Sequence, residues 1–455
     1  MGSLLVRGGH KLTGRIEPSA NKNAVLPVLC ATLLTDAPVT LRNVPEITDV
    51  ERIAAFFGEI GSTVEWDKAG KTLKIDHSTI QKGKGARLPQ AMRASIMMIP
   101  GLIMRLGEVR LEHEVKGCTL GAREIDPHVA VFRAFGAEVS EEAGEIVFRG
   151  TGTGEATRMW LEYASVTTTE NFILCALTVS GTSQIVTAAC EPHVQEMCDF
   201  LELCGARLKG KGTSMVSIEG NSSLGGADYT FNDDFHEIAT FLALSAITGG
   251  DIAVRNGCPE HFDLIDQTFA KFGAEVEHAD GWSRIRATGP LKVKENFTSH
   301  LITKVEAAPW PYIPADLLPI FIALGVRAQG QAMFWNKVYE GGLTWHTELS
   351  LFGAHPAVRP APPDHLRRRQ ARARDRDQPL HHSRGHRPAD GGEQHRGRIH
   401  HPRRRPHQAR APRLREEFRR AGRGRAVDRL SGTSLHLPTC LLPEIIHIDG
   451  EEIRK

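Results

Sequence analysis

Apolar and polar positions alternate along most of the chain between helical stretches and strand-like stretches. One sequence pattern recurs, in which an apolar helical stretch is followed by a glycine, a small residue and a strand-like segment. A glycine ends a helix at low cost because it adopts the left-handed conformation without a steric penalty. We therefore predict a helix–glycine–strand joint at each recurrence, at Gly61, Gly136, Gly205, Gly273 and Gly353.

The joints are spaced almost evenly, 75, 69, 68 and 80 residues apart. A period of about 70 residues is that of a supersecondary unit, and about six such units would fill the chain. Any α/β protein contains some helix–glycine–strand joints, but five at near-constant spacing favour a repeat. The alternation of short strands with helices predicts an α/β fold.

The repeat pattern stops near residue 356. Between residues 356 and 430 there are 22 arginines and no lysine, with many histidines and prolines. The net charge of +2 is therefore a sum of two parts, since residues 356–455 hold 24 Lys and Arg against 12 Asp and Glu, and the rest hold 32 against 42. Such a composition is typical of a GC-rich gene read out of frame. We predict a frameshifted or disordered tail; a genuine basic arm is the alternative.

Several classes of protein are excluded by composition. No apolar run approaches the ~20 residues of a membrane helix, and residues 1–14 contain no signal-peptide core. The cysteines form no C-x-x-C motif, which fits a reducing cytoplasm and predicts neither a zinc site nor a disulfide framework. The eight cysteines are at positions 30, 118, 175, 190, 198, 204, 258 and 440.

Residues 16–27 form the first cluster with chemical potential. Lys22 and Asn23 begin an apolar helix that Ser19 or Asn21 is suited to cap. A lysine has the wrong sign for the N-terminal end of a helix dipole, unless an anion binds there. A solvated lysine is the alternative.

Residues 117–128 form the second cluster, in which two glycines bracket Cys118. The neighbouring charges of Lys116 and Arg123 favour a thiolate and acid–base chemistry. A buried, inert cysteine is the alternative. Arg93, which leads a second apolar helix, is a candidate anion contact.

The N-K-N start, the M-R-A-S helix and the G-C-T-L-G-A-R-E-I-D-P-H loop together resemble the family of UDP-N-acetylglucosamine 1-carboxyvinyltransferases, which are enolpyruvyl transferases. Further segments match the family in order, as far as about residue 355. They contain Ser165 and Val166 in A-S-V, Glu191 in A-C-E-P-H-V, Asp234 and Glu237 before a Thr-Phe-Leu helix, Asp316 in P-W-P-Y-I-P-A-D, and Val338 in N-K-V-Y-E-G-G.

The resemblance implies a reaction and its partners. The enolpyruvyl group of phosphoenolpyruvate would pass to the 3-hydroxyl of UDP-N-acetylglucosamine with release of phosphate, the first committed step of peptidoglycan synthesis. It implies roles in cell-wall formation, cell shape and cell division, in the cytoplasm and without a cofactor or a metal. No membrane contact is expected. Binding of nucleic acid is expected only if the tail is a genuine basic arm.

The resemblance also implies roles for single residues. Cys118 would be the general acid on a closing loop, Asp316 would accept the proton of the sugar hydroxyl, and Lys22 would complete the catalytic set. The substrate contacts implied are Lys22, Asn23, Arg93, Arg123, Glu124, Ile125, Asp126, Pro127, Ser165, Val166, Asp316 and Val338. The supporting residues implied are His128, Glu191, Asp234 and Glu237.

The fold implied is a two-domain inside-out α/β barrel with three repeat units in each domain. One domain would consist of residues 1–20 and 231–355, and would be incomplete. The other would consist of residues 21–230 and carry the Cys118 loop. Residues 356–455 would form the tail, in place of the remainder of the last units.

Departures from the family pattern keep other functions open. Tyr163 stands where lysine is common, Phe235 where arginine is usual, and Gly341-Gly342 where Asn-Arg is usual. The family's C-terminal segments, whose arginines bind phosphoenolpyruvate, also have no recognisable counterpart after residue 356. The chain is therefore an active transferase, a catalytically defective relative, or a nucleic-acid-binding protein through its tail. A sibling enzyme that uses shikimate phosphate shares the fold, but the Cys118 loop argues against it.

Overall fold

The apolar repeat pattern folds into alternating strands and helices, as predicted. The computed structural model describes residues 5–352 except 82, 84, 90–91, 113–124, 153, 221–222, 287–288, 299–300 and 340–341, and the side chains of residues 344, 347 and 352. All the described residues belong to one compact unit. No helix among them is both long and apolar enough to cross a membrane.

The secondary structure of this part of the chain consists of short elements. The α-helices are α1 (Lys22–Thr32), α2 (Thr48–Glu59), α3 (Ile99–Leu106), α4 (Asp126–Ala134), α5 (Val166–Ala176), α6 (Pro192–Leu203), α7 (Phe235–Thr248), α8 (Asp263–Ala270) and α9 (Leu318–Arg327). The 3-10 helices are Arg93–Met98, Pro259–Phe262, Ala315–Leu317 and Thr344–Phe352.

The strands are β1 (Thr13–Ile16), β2 (Val39–Arg42), β3 (Thr63–Asp67), β4 (Thr72–Asp76), β5 (Ala86–Arg87), β6 (Glu108–Glu112), β7 (Ala137–Glu142), β8 (Glu145–Gly150), β9 (Arg158–Trp160), β10 (Thr182–Val186), β11 (Arg207–Lys209), β12 (Met215–Glu219), β13 (Asp228–Thr230), β14 (Asp251–Arg255), β15 (Val276–Ala279), β16 (Trp282–Ile285), β17 (Thr303–Ala307) and β18 (Ala332–Asn336).

Four sheets of the described region share one topology. In each, an outer strand pairs in parallel with the next strand, and that strand pairs antiparallel with one arm of a hairpin. The strand orders are β13-β2-β4-β3, β5-β6-β8-β7, β9-β10-β12-β11 and β1-β14-β16-β15. One unit is thus strand, helix, strand, helix, hairpin, which confirms the predicted α/β fold of repeated β/α units.

Two outer strands are exchanged between units. β1 precedes α1 in the chain but pairs with β14, and β13 precedes α7 but pairs with β2. The two crossing segments run side by side, since the N–H of Asn21 donates to the carbonyl of Asn232 at 3.3 Å and that of Asp234 to Ser19 at 2.8 Å. This exchange brings the N-terminal ends of α1 and α7 together.

The predicted glycine joints have the geometry that the sequence suggests. After α6, Gly205 has a φ of +98°, and the N–H of Ala206 donates to the carbonyl of Leu201 at 2.9 Å. This is the bond that closes a Schellman motif and satisfies a terminal helix carbonyl. The other glycines with positive φ at these joints are Gly61 (+101°), Gly136 (+85°) and Gly273 (+77°). Gly353 lies outside the described residues.

The buried apolar side chains form two clusters. One draws on residues 20–231 and the other on residues 235–324, so the division between them falls at the second crossing segment. Both are rich in fully buried phenylalanines, which contribute large apolar areas to a core. These are Phe57, Phe132, Phe148, Phe172, Phe200 and Phe231 in the first, and Phe262, Phe269, Phe272 and Phe321 in the second. The predicted domain boundaries stay a prediction.

The fifth unit is only partly described. Parallel strands β17 and β18 form a sheet of two strands within the described residues. In the other four sheets a hairpin follows the second helix of the unit. Here that hairpin would follow the 3-10 helix Thr344–Phe352, where the description ends.

Candidate active site

Most of the predicted site residues lie at the first turn of a helix. The first N–H groups of a helix have no partner within it and carry partial positive charge, which suits them to anions. The residues and helices are Lys22 in α1, Arg93 in the 3-10 helix before α3, Asp126 in α4, Ser165 before α5, Glu191 before α6, Asp234 before α7, and Asp316 in the 3-10 helix before α9.

Asn21 caps α1, because its Oδ1 accepts the N–H of Asn23 at 2.9 Å. Ser19, the other candidate cap, instead donates its N–H to Oε2 of Glu237 at 2.8 Å. Lys22 extends outward, with Nζ 3.0 Å from Oδ2 of Asp49 and about half of its side chain exposed. An exposed ion pair is weak, so a substrate anion can compete for this ammonium group.

Asp234 caps α7 in the same way, with Oδ1 accepting the N–H of His236 at 2.9 Å. The same Oδ1 lies 2.9 Å from Nδ1 of His236. The helix begins at Phe235, so Glu237 lies within its first turn and not before the helix, which corrects the prediction. Arg93 likewise leads a 3-10 helix, and the α-helix starts only at Ile99.

His128 fixes the start of α4 against α5. Its Nδ1 lies 2.9 Å from the Nδ2 amide of Asn171, and its Nε2 lies 3.4 Å from Oγ1 of Thr167. Burial, and then the charge of Arg93, lower the pKa of His128 to about 3. A neutral imidazole that accepts at Nδ1 and donates at Nε2 satisfies both contacts.

This anchor places Ile125, Asp126 and Pro127 at one end of α4. Ser165, at the start of α5, accepts a hydrogen bond from Oγ1 of Thr168 at 2.8 Å. Its neighbour Val166 is the first residue of α5. The predicted residues of these two helices therefore lie on elements that pack on each other.

Glu191 joins the start of α6 to the segment that carries Asp316. Its Oε1 accepts the N–H of Trp310 at 3.4 Å, and Sγ of Cys190 donates to the carbonyl of Trp310 at 3.1 Å. Burial raises the pKa of the Glu191 carboxyl, against the opposing effect of backbone donors. Because Trp310 lies six residues before Asp316, this contact helps to place Asp316.

Three titratable residues near Glu191 and Asp234, two buried and one partly buried, were not predicted from the sequence: Glu170, His193 and His236. Glu170 is 1% exposed, and burial followed by the charge of Glu191 raises its pKa well above the ordinary value. Burial, and then the charge of His236, lower the pKa of His193 to about 3. His193 and His236 lie in the same sequence segments as Glu191 and Asp234, so their position beside predicted site residues could have identified them.

The remaining predicted residues are less informative. Val338 donates its N–H to Oδ1 of Asn336 at 2.9 Å and packs against the second apolar cluster. Cys118, Arg123 and Glu124 lie outside the described residues, so their placement stays a prediction. Within the described part, no group of three or more His, Cys, Asp or Glu side chains is arranged to hold a metal ion.

Comparison with known proteins agrees with this architecture. The profile of the family described as EPSP synthase (3-phosphoshikimate 1-carboxyvinyltransferase) matches residues 6–382. The fold is similar to that of the enolpyruvyl transferase NikO from Streptomyces tendae, with a TM-score of 0.67 and 19% identity over 77% of this chain and 81% of that one. These matches define the class of protein, an enolpyruvyl transferase.

Similarity to curated proteins identifies the family within this class. The UDP-N-acetylglucosamine 1-carboxyvinyltransferase of Borreliella burgdorferi is 34% identical over 355 residues, 78% of this chain and 82% of the relative. That of Bradyrhizobium diazoefficiens is 34% identical over 351 residues, 77% of this chain and 80% of the relative. The chain belongs to the family of UDP-N-acetylglucosamine 1-carboxyvinyltransferases, which confirms the resemblance seen in its sequence.

Proposed function

We propose that residues 1–355, completed by a C-terminal unit of the family, form an enzyme that transfers the enolpyruvyl group of phosphoenolpyruvate to the 3-hydroxyl of UDP-N-acetylglucosamine and releases phosphate, within peptidoglycan synthesis. The observation that carries this proposal is the meeting of α1 and α7 at their N-terminal ends, in a chain 34% identical to transferases of that name. Both substrates are anions, and helix N-termini with Lys22 beside them favour anions. Cell-wall, cell-shape and cell-division roles and a cytoplasmic location follow as parts of the proposal.

The proposed chemistry consists of one carbon-group transfer, with proton transfers at the sugar hydroxyl and at C3 of phosphoenolpyruvate. Asp316 accepts the proton of the 3-hydroxyl while the oxygen attacks C2 of phosphoenolpyruvate, and Cys118 protonates the methylene carbon C3. Loss of phosphate, which takes the proton from Asp316, and return of a proton from C3 to the Cys118 thiolate then restore the double bond and both side chains. Lys22, Arg93 and Arg123 would hold the phosphate and carboxylate groups, since arginine suits both.

The proposed substrate contacts extend along the helix starts. The nucleotide sugar would contact Asn23, Glu124, Ile125, Asp126, Pro127, Ser165, Val166 and Val338. His128, Glu191, Asp234 and Glu237 would support them. The division into domains of residues 1–20 with 231–355, and of 21–230, belongs to the same proposal. It is supported by two separate apolar clusters and by the exchanged strands β1 and β13.

A catalytically defective relative is the second candidate. Four sheets of the described region have four strands, whereas the sheet of β17 and β18 has two there. The arginine-rich composition of residues 356–455 gives no repeat pattern from which a hairpin for that sheet is predicted. A unit that lacks its hairpin loses apolar cover and a set of backbone hydrogen bonds.

The experiment that tests the function measures phosphate release from phosphoenolpyruvate with either UDP-N-acetylglucosamine or shikimate 3-phosphate as acceptor. The proposal expects release with the nucleotide sugar alone. It expects this from a protein in which residues 356–455 are replaced by the C-terminal unit of the Borreliella burgdorferi relative, and none from the chain as it stands. Phosphate release with shikimate 3-phosphate would overturn the substrate assignment. Equal release by both proteins would overturn the proposed catalytic defect of the chain as it stands.

A further inference from the structure

Glu196 is a buried residue of α6, 4% exposed, that the proposed chemistry does not use. Its Oε1 accepts the backbone N–H of Asn232 at 2.7 Å. Asn232 belongs to the second crossing segment, residues 231–234, which joins β13 to α7. A carboxyl group of one helix therefore holds the backbone of the segment at which the two apolar clusters divide.

The contact continues from Asn232 to the start of α1. The carbonyl oxygen of Asn232 accepts the N–H of Asn21 at 3.3 Å, and Oδ1 of Asn21 accepts the N–H of Asn23 at 2.9 Å. Lys22 lies between these two asparagines, in the first turn of the helix. Three hydrogen bonds in series thus connect Glu196 to the turn that carries Lys22.

The first crossing segment, residues 17–21, is held in a corresponding way. Oε2 of Glu237 accepts the N–H of Ser19 at 2.8 Å, and the carbonyl of Ser19 accepts the N–H of Asp234, the cap of α7, at 2.8 Å. Glu237 belongs to the helix whose start it supports. Glu196 differs, because it joins the start of α1 to α6, a separate helix on which α1 packs.

The helix α6 is itself fixed against both partners of this contact. Its Phe200 packs edge-on against Tyr229 of the exchanged strand β13, with ring centroids 5.9 Å apart. Its fully buried Met197 belongs to the same apolar cluster as Val25 and Leu29 of α1. A hydrogen bond in such surroundings is stronger than in water, so it can hold a backbone segment in place.

We propose that Glu196 is a positioning residue for the anion-binding start of α1 and acts through Asn232 and Asn21. The proposal rests on the proposed function, in which Lys22 binds an acidic group of phosphoenolpyruvate. An enzyme gains rate when its contacts are fixed in the productive geometry, and a misplacement of about 1 Å can cost about 10²-fold. Removing the acceptor on Glu196 would release the backbone of Asn232 and let the cap and Lys22 shift together.

The direct test is hydrogen–deuterium exchange of the full chain, measured by mass spectrometry on peptides that cover residues 19–26. Glu196→Leu removes the acceptor and keeps a side chain of similar size, so exchange over these residues should become about tenfold faster. Glu196→Gln keeps an oxygen acceptor and should restore slow exchange. Unchanged exchange in folded Glu196→Leu would overturn the proposal, and Glu196→Ala takes its place if the leucine variant does not fold.

Met197→Ala is the matched control for a general loss of stability. It removes buried apolar volume from the next position of α6 and leaves Glu196 in place. It should speed exchange over residues 19–26 no more than over the rest of α1, whereas Glu196→Leu should speed exchange there selectively. Equal acceleration over residues 19–26 by the two variants would indicate a merely structural role and contradict the proposal.

A second test measures turnover of the protein with the replaced C-terminal unit. Glu196→Leu should raise the KM for phosphoenolpyruvate about tenfold with a smaller change in kcat, because the contact that Lys22 makes to the bound substrate is displaced. Glu196→Gln should return the KM close to the unaltered value, and Met197→Ala should leave it unchanged. The same KM in Glu196→Leu as in the unaltered protein would count against the proposal.

The two proposals fail separately. Hydrogen exchange needs no substrate, so selective loss of protection over residues 19–26 can be present even if UDP-N-acetylglucosamine is not the acceptor. Acceptor-dependent phosphate release together with unchanged exchange in Glu196→Leu would leave the proposed function standing and remove this inference alone.

Discussion

At the scale of single residues, the junction between the crossing segments concentrates buried ionisable groups. Glu170, Glu191 and Glu196 are each less than 9% exposed. Burying a carboxyl group away from water favours its neutral form, because the charged form loses solvation. Each of these residues therefore links the stability of the protein to pH.

Glu196 gives the clearest pH prediction. Its Oε1 accepts the N–H of Asn232 at 2.7 Å, while burial raises its pKa to about 7. A raised carboxyl pKa contributes stability below about pH 4.5, and this contribution is lost as pH rises toward 7. Glu196→Gln keeps the acceptor and should remove that loss, so that at pH 8 the variant is more stable by roughly 2–3 kcal/mol.

Chemical denaturation at pH 5 and pH 8 measures this difference. Glu219→Gln, which neutralises a carboxylate that pairs with Arg207 on the surface, is the matched control and should show no such gain at pH 8. Equal stability of Glu196→Gln and the unaltered chain at both values would contradict the prediction.

Cys118 gives the prediction for catalysis. If its thiol is the general acid, Cys118→Ala in the protein with a replaced C-terminal unit should lose about 10²–10⁴-fold in phosphate release. Cys258→Ala is a suitable control, because burial raises the pKa of that thiol to about 11 and keeps it protonated. Full activity of Cys118→Ala would exclude the acid role.

At the scale of elements, two local devices build the site. Capping side chains start the helices at Asn21 and Asp234, and glycines end helices such as α6 at Gly205. Both devices are encoded within a few residues, and the sequence predicts the glycine joints and the presence of a cap before α1. It could not choose between Ser19 and Asn21 as the cap of α1, because Ser19 is engaged by Glu237, 218 residues away.

A pair of glycine substitutions tests the joints. Gly205 has a φ of +98° and open space where a Cβ would lie, so Gly205→Ala should cost about 1–2 kcal/mol through backbone strain alone. Gly58 lies inside α2 with open space around it, so Gly58→Ala should instead stabilise by about 0.5–1 kcal/mol. Thermal unfolding of both variants measures the contrast, and shifts of the same sign would contradict this account.

At the scale of the whole molecule, the exchange of β1 and β13 decides where the site lies. Each crossing strand pairs in a sheet more than 180 residues away in sequence, at Asp228 with Thr40 and at Thr13 with Asp251. The crossing segments that result hold the starts of α1 and α7 together. The sheet of β17 and β18 has two strands within the described residues, and α9, which lies between these strands in the chain, packs on α7.

The prediction at this scale concerns residues 356–455. Replacing them with the C-terminal unit of a curated relative should raise the melting temperature as well as establish phosphate release, because the added hairpin covers the edge of β18. A replacement unit with its hairpin deleted is the control. Activity without any gain in melting temperature would mean that the sheet is already complete in the chain as it stands.

The sequence by itself determined the repeat, the glycine joints and the family. Each of these depends on neighbouring residues or on motifs that are read along the chain. Only the tertiary structure decided the exchange of β1 and β13, the contact of Glu191 with Trp310, and that of Glu196 with Asn232. The contact of Glu191 with Trp310 joins residues 119 positions apart, and that of Ser19 with Glu237 joins residues 218 positions apart. The energies of such contacts depend on burial and distance, which no local sequence pattern encodes.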